Sequence, residues 1–149
     1  MRIDEIIPLL KAVRLFRDVE IEALRLLAFS GTKQNLAPDD ILFFSGMASE
    51  GGYLVLEGRI RMEPLHETRS LPLVYGRGVL IGQAALFAPI HHPATALALD
   101  NAMVLLMSRA LMLKVLEAYP QSARAMQQSL NDEMQVFSKT LLRISAPLA

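Results

Sequence analysis

The residue types and spacing that suit ligand chemistry lie between positions 78 and 98, Gly-Val-Leu-Ile-Gly-Gln-Ala-Ala-Leu-Phe-Ala-Pro-Ile-His-His-Pro-Ala-Thr-Ala-Leu-Ala. The chemistry is capture of an anion. Gly82 has no Cβ and lets the backbone approach a ligand closely. Gln83, Ala84, Ala85, Leu86 and Phe87 can then form a turn or two of helix, whose first N–H groups lack an internal partner. Such donors attract phosphate or carboxylate. Gln83 adds a side-chain carbonyl that can accept from a sugar hydroxyl, without the charge that would strengthen the bond. Pro89 closes the run, and from Ala94 the apolar residues lead into a buried strand. His92, just before that strand, can offer positive charge only when protonated, and Arg77, immediately before the stretch, is another basic side chain that could fold over the pocket and supply charge.

Other chemistries find less support. His91 and His92 are adjacent and would point to opposite faces of an extended chain, His66 is the only other histidine, and cysteine is absent. No metal site and no cofactor are expected, beyond a cyclic nucleotide or other small anion as ligand. No Ser-His-Asp order or carboxylate pair sits in a recognisable catalytic setting, so the chain is not expected to be an enzyme. The methionines at 103, 107, 112, 126 and 134 fall on apolar faces and suit packing.

The stretch resembles the phosphate-binding cassette of the cyclic-nucleotide-binding domain family, which includes the bacterial catabolite activator and the regulatory subunits of protein kinase A. In that family Gly-x-x-Phe-Gly-Glu is followed, after a short helix, by Arg-x-Ala-Thr. Gly78, Gly82, Ala94 and Thr95 fall in step with this pattern. The resemblance implies a ligand site made of Gly82, Gln83, Ala84, Ala85, His92, Pro93, Ala94 and Thr95. Two positions depart from it. Gln83 replaces the glutamate that accepts the ribose hydroxyl, and His92 replaces the arginine that grips the cyclic phosphate. Binding of cyclic AMP or cyclic GMP is therefore expected to be weak, and to tighten as pH falls if His92 carries it.

The elements that must position this stretch divide the chain, read as one domain over 1–149, into three parts. Residues 1–30 carry apolar residues at helical spacing and predict two helices meeting near Arg17-Asp18. Residues 31–107 hold seven of the eight glycines between positions 46 and 82, with short apolar runs at 41–44, 53–56, 59–62, 71–75, 94–99 and 103–107. These are the strands of an antiparallel β-roll of jelly-roll type. Tyr53-Leu-Val-Leu-Glu-Gly-Arg-Ile60 also resembles the family's first β repeat, Tyr-x-Val-x-x-Gly-x-Ile. Residues 108–144 predict a helix capped by Ser108 and a long helix opened by Pro120. The fold class is α+β, with N-terminal helices and a long C-terminal helix flanking the roll.

Along that last helix Met126, Leu130, Met134, Phe137, Leu141 and Ile144 are spaced 4, 4, 3, 4 and 3 residues apart, close to a heptad seam. A homodimer through this helix is expected, and the alternative is that the stripe folds back on the roll. Ser138 is a candidate lid residue over the ligand. No helix-turn-helix follows the helix in this sequence, so any output is expected through a separate effector protein.

Fifteen Lys plus Arg balance fifteen Asp plus Glu, which gives none of the basic excess that drives nucleic-acid binding or attachment to a membrane. The absence of cysteine suits a reducing compartment, and neither an export signal nor a membrane span is visible. A cytoplasmic location is expected. The leading function is a stand-alone regulatory sensor signalling through its C-terminal helix. The alternatives are a ligand-free dimerisation and assembly module with a degenerate pocket, and a cupin-like metalloenzyme.

Overall fold

The computed structural model describes residues 1–64 and 73–145. Helix α1 (Ile3–Ala12) has Asp4 and Glu5 in its first turn and Lys11 in its last, each charge opposing the helix dipole, and it buries Ile6 and Leu10. A 3-10 turn, Arg14–Phe16, buries Leu15 and Phe16 before helix α2 (Ile21–Ser30) buries Ala23, Leu24, Leu27 and Ala28. Eight strands follow: β1 (Thr32–Leu36), β2 (Ile41–Phe43), β3 (Gly51–Glu57), β4 (Ile60–Pro64), β5 (Leu73–Tyr75), β6 (Leu80–Ile81), β7 (Ala94–Ala98) and β8 (Ala102–Ser108). Helices α3 (Arg109–Ala118) and α4 (Pro120–Ser145) complete the described chain.

The strands form two antiparallel four-stranded sheets, ordered β1-β8-β3-β6 and β2-β7-β4-β5. This is the antiparallel roll that the glycine-punctuated apolar runs predict. Alternation along β3 and β8 divides the apolar residues between two cores. Leu54, Leu56, Leu105 and Met107 face the helices and pack with Ile6, Leu10, Phe16, Leu24, Met112 and Val115. Tyr53, Val55, Val104 and Leu106 face the interior of the roll with Phe43, Ile60, Ala96 and Ala98. Both faces of these strands are covered, so β3 reads as a continuous apolar run instead of an alternating one.

Two strands escape a reading of apolar runs. β1, Thr-Lys-Gln-Asn-Leu, lies at a sheet edge, bonded to β8 alone, and its residues are exposed or half-buried. An edge strand needs no hydrophobic face. β6 lies inside the triplet between Gly78 and Gly82 and pairs with Tyr53 and Leu54 of β3. The strand expected from Leu71 is described from Leu73, and Leu71, Pro72 and His66 lie outside the described residues.

The apolar stripe of α4 divides. Met126 is 1% exposed and belongs to the helix-facing core, and Leu130 packs against it. Met134, Phe137 and Leu141 are exposed, and Ile144 lies in the last turns of the helix.

Candidate functional site

The cassette begins with backbone geometry. Gly82 sits at φ 78° and ψ 43°, in the left-handed region, and heads a 3-10 turn over Gln83–Leu86. A side chain at this φ would be strained, so glycine is the residue that can turn the chain here. Ala85 and Leu86 are buried and anchor the turn. Gly52 of β3 makes room for that anchor, because a Cβ on it would meet the Leu86 side chain at 3.0 Å. Within the turn the Ala85 N–H donates to the Gly82 carbonyl at 3.0 Å, and the N–H groups of Phe87 and Ala88 both donate to the Ala84 carbonyl at 3.1 Å. Ala84 is exposed at the head of this turn, and the Gly51 carbonyl of β3 lies 3.7 Å from where a Cβ on Gly82 would sit.

The second half, from Ile90 to Thr95, is fastened to the loop between β2 and β3. The Gly46 N–H donates to the His92 carbonyl at 2.8 Å, the His92 N–H to the Met47 carbonyl at 2.9 Å, and the Ser49 N–H to the Ile90 carbonyl at 3.0 Å. Thr95 Oγ1 accepts from the Ser45 N–H at 2.9 Å, while the buried Ser45 Oγ has no partner among the described residues. Ala94 is buried, and Pro93 and His91 are exposed. His92 is 6% exposed, with its ring stacked on Phe43 at a centroid distance of 3.6 Å and an interplanar angle of 8°. Its location is thus the wall of the inner core, not an exposed loop. Burial pushes its pKa below the ordinary histidine value, which opposes the protonated form that an anion would want.

Two residues that the sequence reading passed over tie the cassette to the C-terminal helices. Arg109, the first residue of α3, donates from one guanidinium nitrogen to the carbonyls of Ala85 at 2.8 Å and Ala88 at 3.1 Å and to Ser49 Oγ at 3.1 Å. Its other terminal nitrogen donates to the Ser49 carbonyl at 2.6 Å. The planar fork thereby joins both loops of the cassette to the start of α3, a geometry that a lysine could not reproduce. A signal for this was present in the sequence. A cation directly after the cap Ser108, at the positive end of a helix, is unfavourable unless its charge is engaged elsewhere. The Ser108 hydroxyl itself accepts from the Leu111 N–H at 3.0 Å, as a capping serine should.

Glu133 of α4 is the second such residue, accepting from Gln83 Nε2 at 3.2 Å. Ser138, the candidate lid, lies farther along α4 on an exposed face with Met134, Gln135, Lys139 and Leu142. Arg77 is exposed between β5 and β6. Among the described residues no group of three His, Cys, Asp or Glu side chains is arranged to hold a metal ion.

The geometry agrees with comparisons to known proteins. The profile of the cyclic nucleotide-binding domain matches residues 33–119. No curated protein sequence matches. Among solved structures, the N-terminal domain of a transcriptional regulator from Streptomyces coelicolor A3(2) is 26% identical with a TM-score of 0.81, over 89% of this chain and 93% of that one. A cyclic nucleotide-binding-like protein from Brucella abortus bv. 1 str. 9-941 is 29% identical with a TM-score of 0.69, over 76% of this chain and 99% of that one. The catabolite activator protein of Thermus thermophilus shares the fold at 21% identity and a TM-score of 0.70, over 89% of this chain and 63% of that one. With the profile spanning more than half of its length, and with the roll, the Gly82 turn and the Ala94-Thr95 strand in place, this chain belongs to the cyclic nucleotide-binding domain family.

Proposed function

We propose that the protein is a regulatory sensor whose cassette binds a small anion of the cyclic nucleotide class and whose α4 transmits occupancy. The observation that carries this reading is the left-handed Gly82 heading the Gln83–Leu86 turn, in a family defined by nucleotide binding. Gln83, Ala84 and Ala85 form one side of the proposed site, and His92, Pro93, Ala94 and Thr95 the other. With His92 stacked on Phe43 and held toward its neutral form, the site lacks a bidentate cation at that position, so affinity for cyclic AMP is expected in the weak range.

The exposed half of the α4 stripe supports a homodimer, and zero formal net charge argues against duplex DNA as a direct partner. The effector on this reading is a separate protein met in the cytoplasm. No helix among the described residues is long and apolar enough to cross a membrane.

Titration calorimetry with cyclic AMP and cyclic GMP tests the proposal. Wild type should bind at least one of them, and Gly82→Val should abolish the binding, because a β-branched residue cannot adopt that φ without strain. A second reading is favoured by the His92–Phe43 stack, which fills space at the cassette: a ligand-free assembly module held together by α4. Wild type that dimerises but binds neither nucleotide would establish that reading in place of the first.

A further inference from the structure

Helix α4 touches the cassette through the side-chain bond from Gln83 Nε2 to Glu133 Oε2, which is part-buried. Glu133 is half-buried, yet the ion pairs among the described residues, Arg17–Asp18, Arg25–Glu22, Arg59–Asp100 and Arg61–Glu63, do not include it. Its neighbours one turn away on α4 are Ser129, Leu130, Val136 and Phe137, none of them charged. A carboxylate can accept at about four lone-pair positions and is best served by strong donors. Among the described residues, one neutral amide serves it. The side-chain oxygen of Gln83, Oε1, has no donor either among the described residues. Two acceptors therefore stand together at the edge of the cassette, and what they lack is a donor.

We propose that Glu133 is a ligand-binding residue, accepting a hydrogen bond from a sugar hydroxyl of the ligand, with Gln83 as the residue that orients it. This rests on the reading of the cassette as a nucleotide site. The carboxylate comes from the long C-terminal helix, so recognition of the hydroxyl and the position of α4 are one contact. The same charge gives selectivity. A sugar phosphate brings a hydroxyl to Glu133 along with its anionic group, whereas sulfate brings negative charge and no donor and is repelled. Gln83 supplies the amide that keeps Glu133 aimed at the cassette when it is empty.

The test is titration calorimetry on the full chain with cyclic AMP, 2'-deoxy cyclic AMP and sulfate, comparing wild type with Glu133→Gln and Glu133→Ala. Glu133 is on a helix surface, and circular dichroism should report unchanged helix content. Both variants should weaken cyclic AMP binding about tenfold, the value of one charge-assisted hydrogen bond, and should not weaken binding of the 2'-deoxy analogue, an anion that brings no hydroxyl to Glu133. Sulfate should bind the variants better than wild type. The exchanged pair, Gln83→Glu with Glu133→Gln, should recover discrimination between cyclic AMP and its deoxy analogue. Equal or tighter cyclic AMP binding by Glu133→Gln, or the same loss with both nucleotides, overturns the assignment while leaving the nucleotide site standing. If wild type binds no cyclic nucleotide at all, the reading beneath falls and the assignment falls with it.

Discussion

The two halves of α4 share one apolar periodicity and reach different surroundings. In the first half Met126 and Leu130 pack into the helix-facing core, Ser129 is buried, and Ser122 Oγ donates to Glu20 Oε1 at 3.2 Å while accepting from the Glu20 N–H at 3.1 Å. In the second half, beyond Glu133, Phe137 is 57% exposed and Leu142 is 69% exposed. Glu133 stands at the boundary, in contact with the cassette. The first half is thus part of the domain, and the second leaves an apolar face exposed. A regular stripe tells which residues share a face, but what covers that face depends on where the roll ends beneath it.

Substitutions can break this contrast, beginning with the packed half. Met126→Ala should lower the free energy of urea unfolding by about 2–5 kcal/mol, since it opens a cavity in a closed core. Met134→Ala, measured where the chain is monomeric, should change it by no more than about 0.5 kcal/mol. Equal effects at the two positions would show that both halves pack on the roll. Arg109→Ala should cost about 1.5–3 kcal/mol by leaving the carbonyls of Ala85 and Ala88 without their charged donor. It should also speed hydrogen exchange at Phe87 and Ala88, and Arg109→Lys should restore only part of the loss. Unchanged exchange there would mean that the cassette keeps its shape without the fork.

The exposed half is sharpened by sedimentation velocity at micromolar concentration. Wild type should run as a dimer, and Met134→Glu with Phe137→Glu should run as a monomer with its helix content intact. A monomeric wild type removes the dimer proposal. The smallest effect belongs to His92. Burial lowers its folded-state pKa, so the unfolded chain binds more protons below the ordinary histidine value of about 6.5. Its contribution to stability is complete above that pH and is lost as pH falls through the folded-state pKa. His92→Phe, which can keep the stack on Phe43, should flatten that part of the stability profile, and an unchanged profile would assign the acid sensitivity to other groups.

His92 and Arg109 mark how far the candidate site was legible. The glycines, the proline and the Ala94-Thr95 strand announce the cassette because backbone conformation depends on residue type within a few positions. His92 sits in step with the family's arginine, and that alignment says nothing of Phe43, which is 49 positions away in sequence and lies under its ring. Arg109 was legible only as an awkward charge at a helix start. Its carbonyl partners lie 21 and 24 residues earlier and Ser49 lies 60 residues earlier. Strand β1 was silent for another reason, because an exposed edge carries no apolar alternation.

The sequence by itself determined the α+β class, the roll, the place of the cassette and the periodicity of the last helix. Each follows from local propensity or from the period of apolar residues, and both are properties of neighbours along the chain. Tertiary structure decided which side chains the cassette meets: Phe43 beneath His92, Arg109 across the turn, Glu133 against Gln83. It also decided where the cover over α4 stops. Those contacts join positions 21 to 60 residues apart, and their geometry exists only once the two sheets have packed on each other and on the helices.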